Sequence, residues 1–177
     1  MIRGDQAAHA ARLRAMMDDH FEIVWRSLRR LGVPESGADD SAQQVFVVAS
    51  RRLTEIEVGG ERGYLLGIAL RVASDARRSL RRRREVPIDT ETVSLSTLAG
   101  PPRPDEALEQ KRALEVLATL LDEMPDELRE AFVLFELEEL SAPEVARVLS
   151  VPVGTVASRV RRARERLRES LAMRGAP

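Results

Sequence analysis

Apolar residues recur at three- and four-residue spacing along most of the chain, and the strict alternation that marks a half-buried strand is nowhere sustained. Upstream, this period predicts three helices, roughly Ala7 to Leu31, Asp39 to Leu53 and Glu61 to Arg84, broken by GVPESG and by EVGGERG. Downstream it predicts four: Asp105 to Glu123, Asp126 to Glu138, and two that open after Ser141 and after Pro152. Between the two sets, residues 85–104, EVPIDTETVSLSTLAGPPRP, carry Pro, Ser and Thr without a helical period and read as a flexible linker. The expected fold is all-α: two small helical domains, residues 1–84 and 105–177, joined by the linker 85–104.

The sharpest pattern lies between Ser141 and Leu171, SAPEVARVLSVPVGTVASRVRRARERLRESL, which reads as a helix-turn-helix. Ser141 and Glu144 have the S-x-x-E spacing of a capping box, and Pro143 is tolerated in the first turn. The helix so begun carries Val145, Ala146, Val148 and Leu149 inward, and must end before Pro152 because Val151 cannot stay helical there. In the second helix Val156, Val160, Ala163, Leu167 and Leu171 fall on one stripe at about 100° per residue and face a core. Thr155, Ser158, Arg161 and Arg162 emerge opposite, with Arg159, Arg164, Arg166 and Arg168 on the flanks. A major groove admits one α-helix, short polar side chains permit close approach, and arginine bonds guanine or phosphate in bidentate fashion.

Composition narrows the class. The 177 residues are 44% hydrophobic and only 3% aromatic, enough to bury cores and rich in the Leu, Ala, Arg and Glu that favour helices. Absence of cysteine excludes disulfides and thiol catalysis and suits a reducing cytoplasm. The N-terminal stretch scatters charge and lacks the apolar core of a secretory signal. Apolar runs such as YLLGIAL are far shorter than the ~20 residues a bilayer requires. The net charge of −1 conceals three blocks: +5 over residues 1–84, −11 over 85–140 and +5 over 141–177. Binding to nucleic acid depends on the local face, so the near-neutral sum does not oppose it.

Upstream, Ala42, Val45, Phe46, Ala49 and Leu53 recur at helical spacing and should pack inward, leaving Asp40, Gln43 and Gln44 as a compact polar ridge. Asp39 and Asp40 also suit the start of a helix as caps. The third helix, from Glu61, is expected to bury Tyr64, Leu65, Ile68 and Val72 and to align Arg71, Arg78 and Arg82 on one face, where they could meet phosphates. The loop Thr54 to Gly63 fits no phosphate-cradling pattern and reads as a mobile connector. Arg26, Arg29 and Arg30 read as a solvated helix face.

These features occur in an order that resembles a bacterial RNA polymerase sigma factor of the extracytoplasmic-function branch, which keeps only the second and fourth sigma domains. The resemblance spans about Phe21 to Leu171. Its most specific part is LDEMPDELREAFVLFELEELSAPEVARVLSVPVGTVASRVRRARERL, downstream of a D-x-x-Q-x-V-F helix. It implies that Asp40, Gln43 and Gln44 dock on the clamp helices of core RNA polymerase. It further implies that the Thr54 to Gly63 loop, with Tyr64, Arg71, Arg78 and Arg82, captures the unpaired minus-ten strand. Thr155, Ser158, Arg159, Arg161 and Arg162 are then the minus-thirty-five contacts, and the acidic helices before them hold the polymerase flap. An anti-sigma protein is a partner common in such a family. The chain departs from the family pattern at Tyr64, where tryptophan is frequent, at Leu70 and Arg71, where an Arg-Asn pair is frequent, at Ala157, and at Ser150, which replaces the usual turn glycine. A left-handed Ser150 would cost on the order of 1 kcal/mol.

No nucleophile and base pair, metal-ligand cluster or P-loop stands out in the sequence, so the expectation is a protein that is not an enzyme and needs neither metal nor cofactor. The competing reading is a non-sigma helix-turn-helix regulator, which would have no use for the DDSAQQVF ridge.

Overall fold

The computed structural model describes the backbone of residues 2–84 and 104–174, with side-chain surroundings for 7–82 and 112–174. The expected linker 85–104 lies outside the described residues except for Pro104. Helices α1 (Ile2–Arg30), α2 (Glu35–Ser50) and α3 (Glu61–Arg84) precede it, and α4 (Pro104–Asp122), α5 (Asp126–Phe132), α6 (Ala142–Leu149) and α7 (Val153–Met173) follow. No strand occurs among the described residues. The all-α expectation holds, and most helix limits agree within a residue or two.

Two local differences have clear causes. Helix α2 starts four residues earlier than the sequence suggested, behind Pro34 in extended conformation, so Asp39 sits a full turn inside the helix and is not a cap. Its carboxylate accepts a 2.8 Å bond from the Trp25 indole instead. The helix expected to run from Asp126 to Glu138 is α-helical only to Phe132 and widens into a π turn over Val133–Leu137. That widening lets the Leu140 amide reach back to the Leu134 carbonyl at 3.0 Å, with Glu139 at φ 52 absorbing the reversal. Pattern reading could not foresee it, because a π turn preserves the inward placement of Val133 and Leu134.

The helix-turn-helix forms as its sequence dictates. The Ser141 amide and hydroxyl both donate to one oxygen of Glu144, at 2.8 and 2.5 Å, and Pro143 sits in the first turn. At the other end Ser150 adopts φ 55, ψ 44, the left-handed conformation. The Val151 amide bonds the Ala146 carbonyl at 3.0 Å and the Ser150 amide bonds that of Arg147 at 3.3 Å, a Schellman closure that satisfies carbonyls otherwise left open.

Buried arginines organise the rest. Arg129 is almost fully buried and caps the C-terminal end of α4, with Nε donating to the Leu121 carbonyl and Nη2 to those of Asp122 and Met124 at 2.8 and 3.1 Å. Burial, and then the neighbouring Arg77, lower its pKa from the ordinary guanidinium value. Gly32, at φ +90, lies so close that an added Cβ would meet Arg129 Nη1 at 2.9 Å and Arg77 Cδ at 3.1 Å. The end of α1 is thus built around two guanidiniums, and only glycine fits both the backbone and the space.

The upstream and downstream helices do not stand apart. Leu121, Met124, Leu128 and Phe132 join the apolar cluster formed by α1, α2 and α3, while Leu66 of α3 enters the cluster of Leu134, Val145, Val156 and Val160. Helix α3 therefore has two buried stripes, one built on Leu65, Ala69 and Val72, the other on Leu66, Ala73 and Arg77.

Ser150→Gly should relieve the left-handed strain and raise stability by about 1 kcal/mol. The check is urea unfolding, with a higher midpoint at unchanged slope. Glu144 is held below the usual carboxylate range, first by the Ser141 hydroxyl and then by the Ser141 amide. A depressed folded-state pKa contributes stability that is present above the ordinary value and lost as pH falls through the folded one. The stability gap between wild type and Glu144→Gln should accordingly be widest at neutral pH and close on acidification, as read by denaturant unfolding at stepped pH.

Candidate nucleic-acid interface

Helix α7 can present a reading face because its opposite side is anchored. Val156, Val160 and Ala163 are buried, with Leu167 and Leu171 half-buried farther along. Ser158, Arg161 and Arg162 are exposed, and Thr155 and Arg159 are partly covered. Their states differ. The Ser158 hydroxyl donates to the Thr155 carbonyl at 2.9 Å, Arg161 pairs with Glu165 at 2.7 Å one turn on, and Arg159 turns aside to Glu127 of α5 at 3.3 Å. Among the described residues, no carboxylate lies within ion-pair distance of Arg162. Of the five positions it carries the cation most ready for a phosphate or a base edge.

On α3, the buried residues Leu65, Ile68 and Val72 match expectation, whereas Tyr64 is only half-buried at the rim of the cluster. It begins a helix face rather than a core. At 100° per residue Tyr64, Arg71, Arg78 and Arg82 fall within about 40° of one another, and the three arginines are exposed. Arg78 is paired with Asp75 three residues back. The face so formed is a ring flanked by cations, a combination suited to stacking bases and neutralising phosphates.

The loop ahead of this helix is less free than its glycines suggested. Arg12 of α1 donates to the carbonyls of Leu53 and Ile56 at 2.9 and 2.6 Å, and Glu61 accepts from the Gly59 amide at 2.6 Å. The amides of Glu61 itself and of Gly59, with Arg12, hold the Glu61 carboxyl below its usual range. Both ends of the loop are pinned, and its tip presents Val58, 91% exposed, next to Gly59 at φ +85. The mobile-connector expectation is corrected to an anchored loop with an exposed apolar tip. Distant acceptors for Arg12 leave no mark in the local sequence.

On α2, Asp40, Gln43 and Gln44 stand exposed above buried Ala42, Val45, Phe46 and Ala49. Sequence reasoning missed Val47, half exposed and four residues beyond Gln43, which adds an apolar spot to this polar ridge. An apolar side chain on the polar side of the period was the available signal. The Arg26, Arg29 and Arg30 cluster is not simply solvated: the half-buried Arg29, its side chain nearly covered, donates to the Val33 carbonyl, and Arg30 reaches Glu138 at 2.8 Å.

Farther along α7, Leu167 and Leu171 line an apolar groove of about 350 Å³ with Ala113, Val116, Leu117 and Leu120 of α4. None of the described helices is long and apolar enough to cross a membrane.

Comparison with known proteins bears on these surfaces. Residues 114–167 match the family described as Sigma-70, region 4. The chain is 33% identical over 171 residues to the ECF RNA polymerase sigma factor SigE of Mycolicibacterium smegmatis, covering 96% of this chain but 65% of that one. To the ECF RNA polymerase sigma factor SigC of Mycobacterium tuberculosis it is 32% identical, over 93% of this chain and 84% of the relative. Its fold is similar to that of CnrH, solved in complex with the cytosolic domain of CnrY: TM-score 0.66 at 26% identity, covering 91% of this chain and 88% of CnrH.

Arg162→Ala should reduce the magnitude of the slope of log K against log salt for duplex DNA by about 0.9 if the contact is to phosphate, and leave it unchanged but alter sequence preference if it is to guanine. Fluorescence anisotropy across a salt series distinguishes the two. Arg159→Ala should change the slope less, because its guanidinium must first leave Glu127.

Proposed function

The chain belongs to the extracytoplasmic-function sigma factors of bacterial RNA polymerase, and from that premise we propose how its surfaces divide the work of starting transcription. The protein binds core RNA polymerase and directs it to specific promoters. The ridge of Asp40, Gln43 and Gln44 docks on the polymerase. Tyr64, Arg71, Arg78 and Arg82 hold the opened minus-ten strand, while Thr155, Ser158, Arg159, Arg161 and Arg162 address the minus-thirty-five duplex. The apolar groove between α4 and α7 receives the polymerase flap. The two functional units are residues 1–84 and 105–177, with 85–104 as the connection, and the protein works in the cytoplasm beside its polymerase. An anti-sigma protein is a further partner, in keeping with the complex of CnrH with the cytosolic domain of CnrY.

The observation that carries this reading is the presence on one chain of two separate exposed surfaces, a carboxamide ridge on α2 and an arginine face on α7. A helix-turn-helix regulator acting alone needs only the second. Each DNA face offers few phosphate contacts, so either alone binds weakly. Mounted together on polymerase they gain effective concentration and must match two elements at once, which turns modest contacts into promoter choice. Strand opening then requires no hydrolytic chemistry from this chain, only tighter binding to the opened state than to the duplex.

Run-off transcription with purified bacterial core polymerase on a library of random upstream sequences tests the division. Gln43→Ala with Gln44→Ala should weaken initiation about tenfold on every template, whereas Arg162→Ala should alter which templates are used. DNA binding without any polymerase binding would leave an ordinary helix-turn-helix regulator.

A further inference from the structure

The loop ahead of α3 is held by a helix that carries neither of the proposed DNA faces. Arg12 of α1 spans three acceptors with one guanidinium: Nη1 donates to the Leu53 carbonyl at 2.9 Å, and Nη2 to the Ile56 carbonyl at 2.6 Å and to Glu61 Oε1 at 3.4 Å. One turn earlier on α1, His9 Nε2 donates to the Ser50 carbonyl at 3.2 Å. The planar fork of arginine suits acceptors set side by side, and bonds from a charged donor are stronger than neutral ones. Leu53 and Ile56 are themselves buried, so both feet of the loop are fixed by apolar packing as well as by charge.

Beyond those feet stands a tight turn. The Gly60 amide donates to the Glu57 carbonyl at 3.0 Å, and Gly59, at φ +85, occupies the third position, where a type II turn demands a positive φ. Glu61 ties this turn to α1, because its Oε1 faces Arg12 while its Oε2 accepts from the Gly59 amide at 2.6 Å. The Tyr64 amide donates to the Gly60 carbonyl at 3.1 Å, which makes the ring-bearing start of α3 continuous with the turn. The second turn position belongs to Val58, the most exposed of the large apolar side chains among the described residues. Fixing a loop costs conformational entropy, and here the fixed tip buries almost nothing of its own in return. A preformed tip offsets that cost when a partner meets it, since less remains to be ordered on binding.

Resting on the minus-ten reading above, we propose that Arg12 is a positioning residue for the strand-capturing surface. Through Leu53, Ile56 and Glu61 it fixes the Val58 tip against the unpaired strand, and so sets how sharply one base is told from another. Arg12 does this without touching DNA, its guanidinium being engaged by protein acceptors. A loose tip re-packs against whichever base it meets, whereas a fixed one favours the base that fits. Loss of Arg12 therefore reduces discrimination more than it reduces binding.

Hydrogen exchange in the free protein tests the hold itself. Amides from Leu53 to Gly60 should exchange severalfold faster in Arg12→Ala, with those from Leu65 to Ala73 unchanged, and a loop that keeps its wild-type rates would overturn the proposal. Transcripts from the random-sequence library, made with core polymerase and sequenced, test the role. Arg12→Ala should flatten base preference severalfold at one or two adjacent minus-ten positions and leave minus-thirty-five preferences as they are. Lower output on every template with all preferences intact would mark a merely structural residue and sink the idea. Arg12→Lys keeps a charge for a phosphate but not the fork, so it should be as flat as Arg12→Ala. Full recovery by lysine would instead assign Arg12 to a direct phosphate contact.

Two further variants keep the test open if Arg12→Ala loses helicity. Glu61→Ala frees the Gly59 amide while leaving Arg12 on its two carbonyls, and should flatten the same minus-ten positions. Val58→Gly removes the exposed tip and should do the same. Adding Arg12→Lys to Val58→Gly should then flatten preference no further, because residues that act through one another are not additive. An additive loss would mean that Arg12 acts elsewhere. If the wild type itself does not initiate with core polymerase, it is the sigma-factor reading that falls, and the exchange rates still report on the hold.

Discussion

A guanidinium cannot shed its charge at any physiological pH, so each arginine taken into the interior must bring its acceptors with it. That constraint shapes this protein more than any single apolar contact. Arg129 collects three carbonyls at the end of α4, Arg77 collects the Leu31 carbonyl and Glu130, and Arg30 collects Glu138 and the Leu137 carbonyl. Gly32 has no side chain because two of these groups occupy the space. Remove the acceptors, and the close approach of α1, α3 and α5 becomes an assembly of uncompensated cations. Glu130 shows the opposing pressure: burial raises its pKa and Arg77 draws it back down.

The helices themselves were legible, because the 3.6-residue period and the cap and proline signals act over a few residues. Ser141, Glu144 and Pro152 delimit α6 in the sequence as they do in space. The polar positions of the ridge and of the reading helix were legible for the same reason, since each lies opposite a buried stripe on its own helix. Val47 escaped because attention to polar residues passed over an apolar one on the exposed side.

What was not legible depended on partners far along the chain. Arg12 pins a loop more than forty residues away, and Arg30 meets Glu138 across 108 residues. In the sequence both look like ordinary surface cations. The second stripe of α3 left a faint trace, an apolar arc too wide for a helix covered on one side only. The early start of α2 was hidden because Ser36 and Gly37 are weak helix formers close behind an extended Pro34.

The pairing of Arg30 with Glu138 also fixes an order in time. Synthesis proceeds from the N-terminus at about 5 to 20 residues per second, so the last residue of the upstream helices, Arg84, is made roughly 3 to 11 seconds before Glu138. During that interval the nascent protein is a basic bundle with Leu66 and Gly67 bare and with Arg30 and Arg77 lacking their downstream carboxylates. The acidic segment then arrives as the piece that covers this surface. A newborn chain of this design is most exposed to stray nucleic acid before its own carboxylates exist, and the length of the middle segment sets how long that exposure lasts.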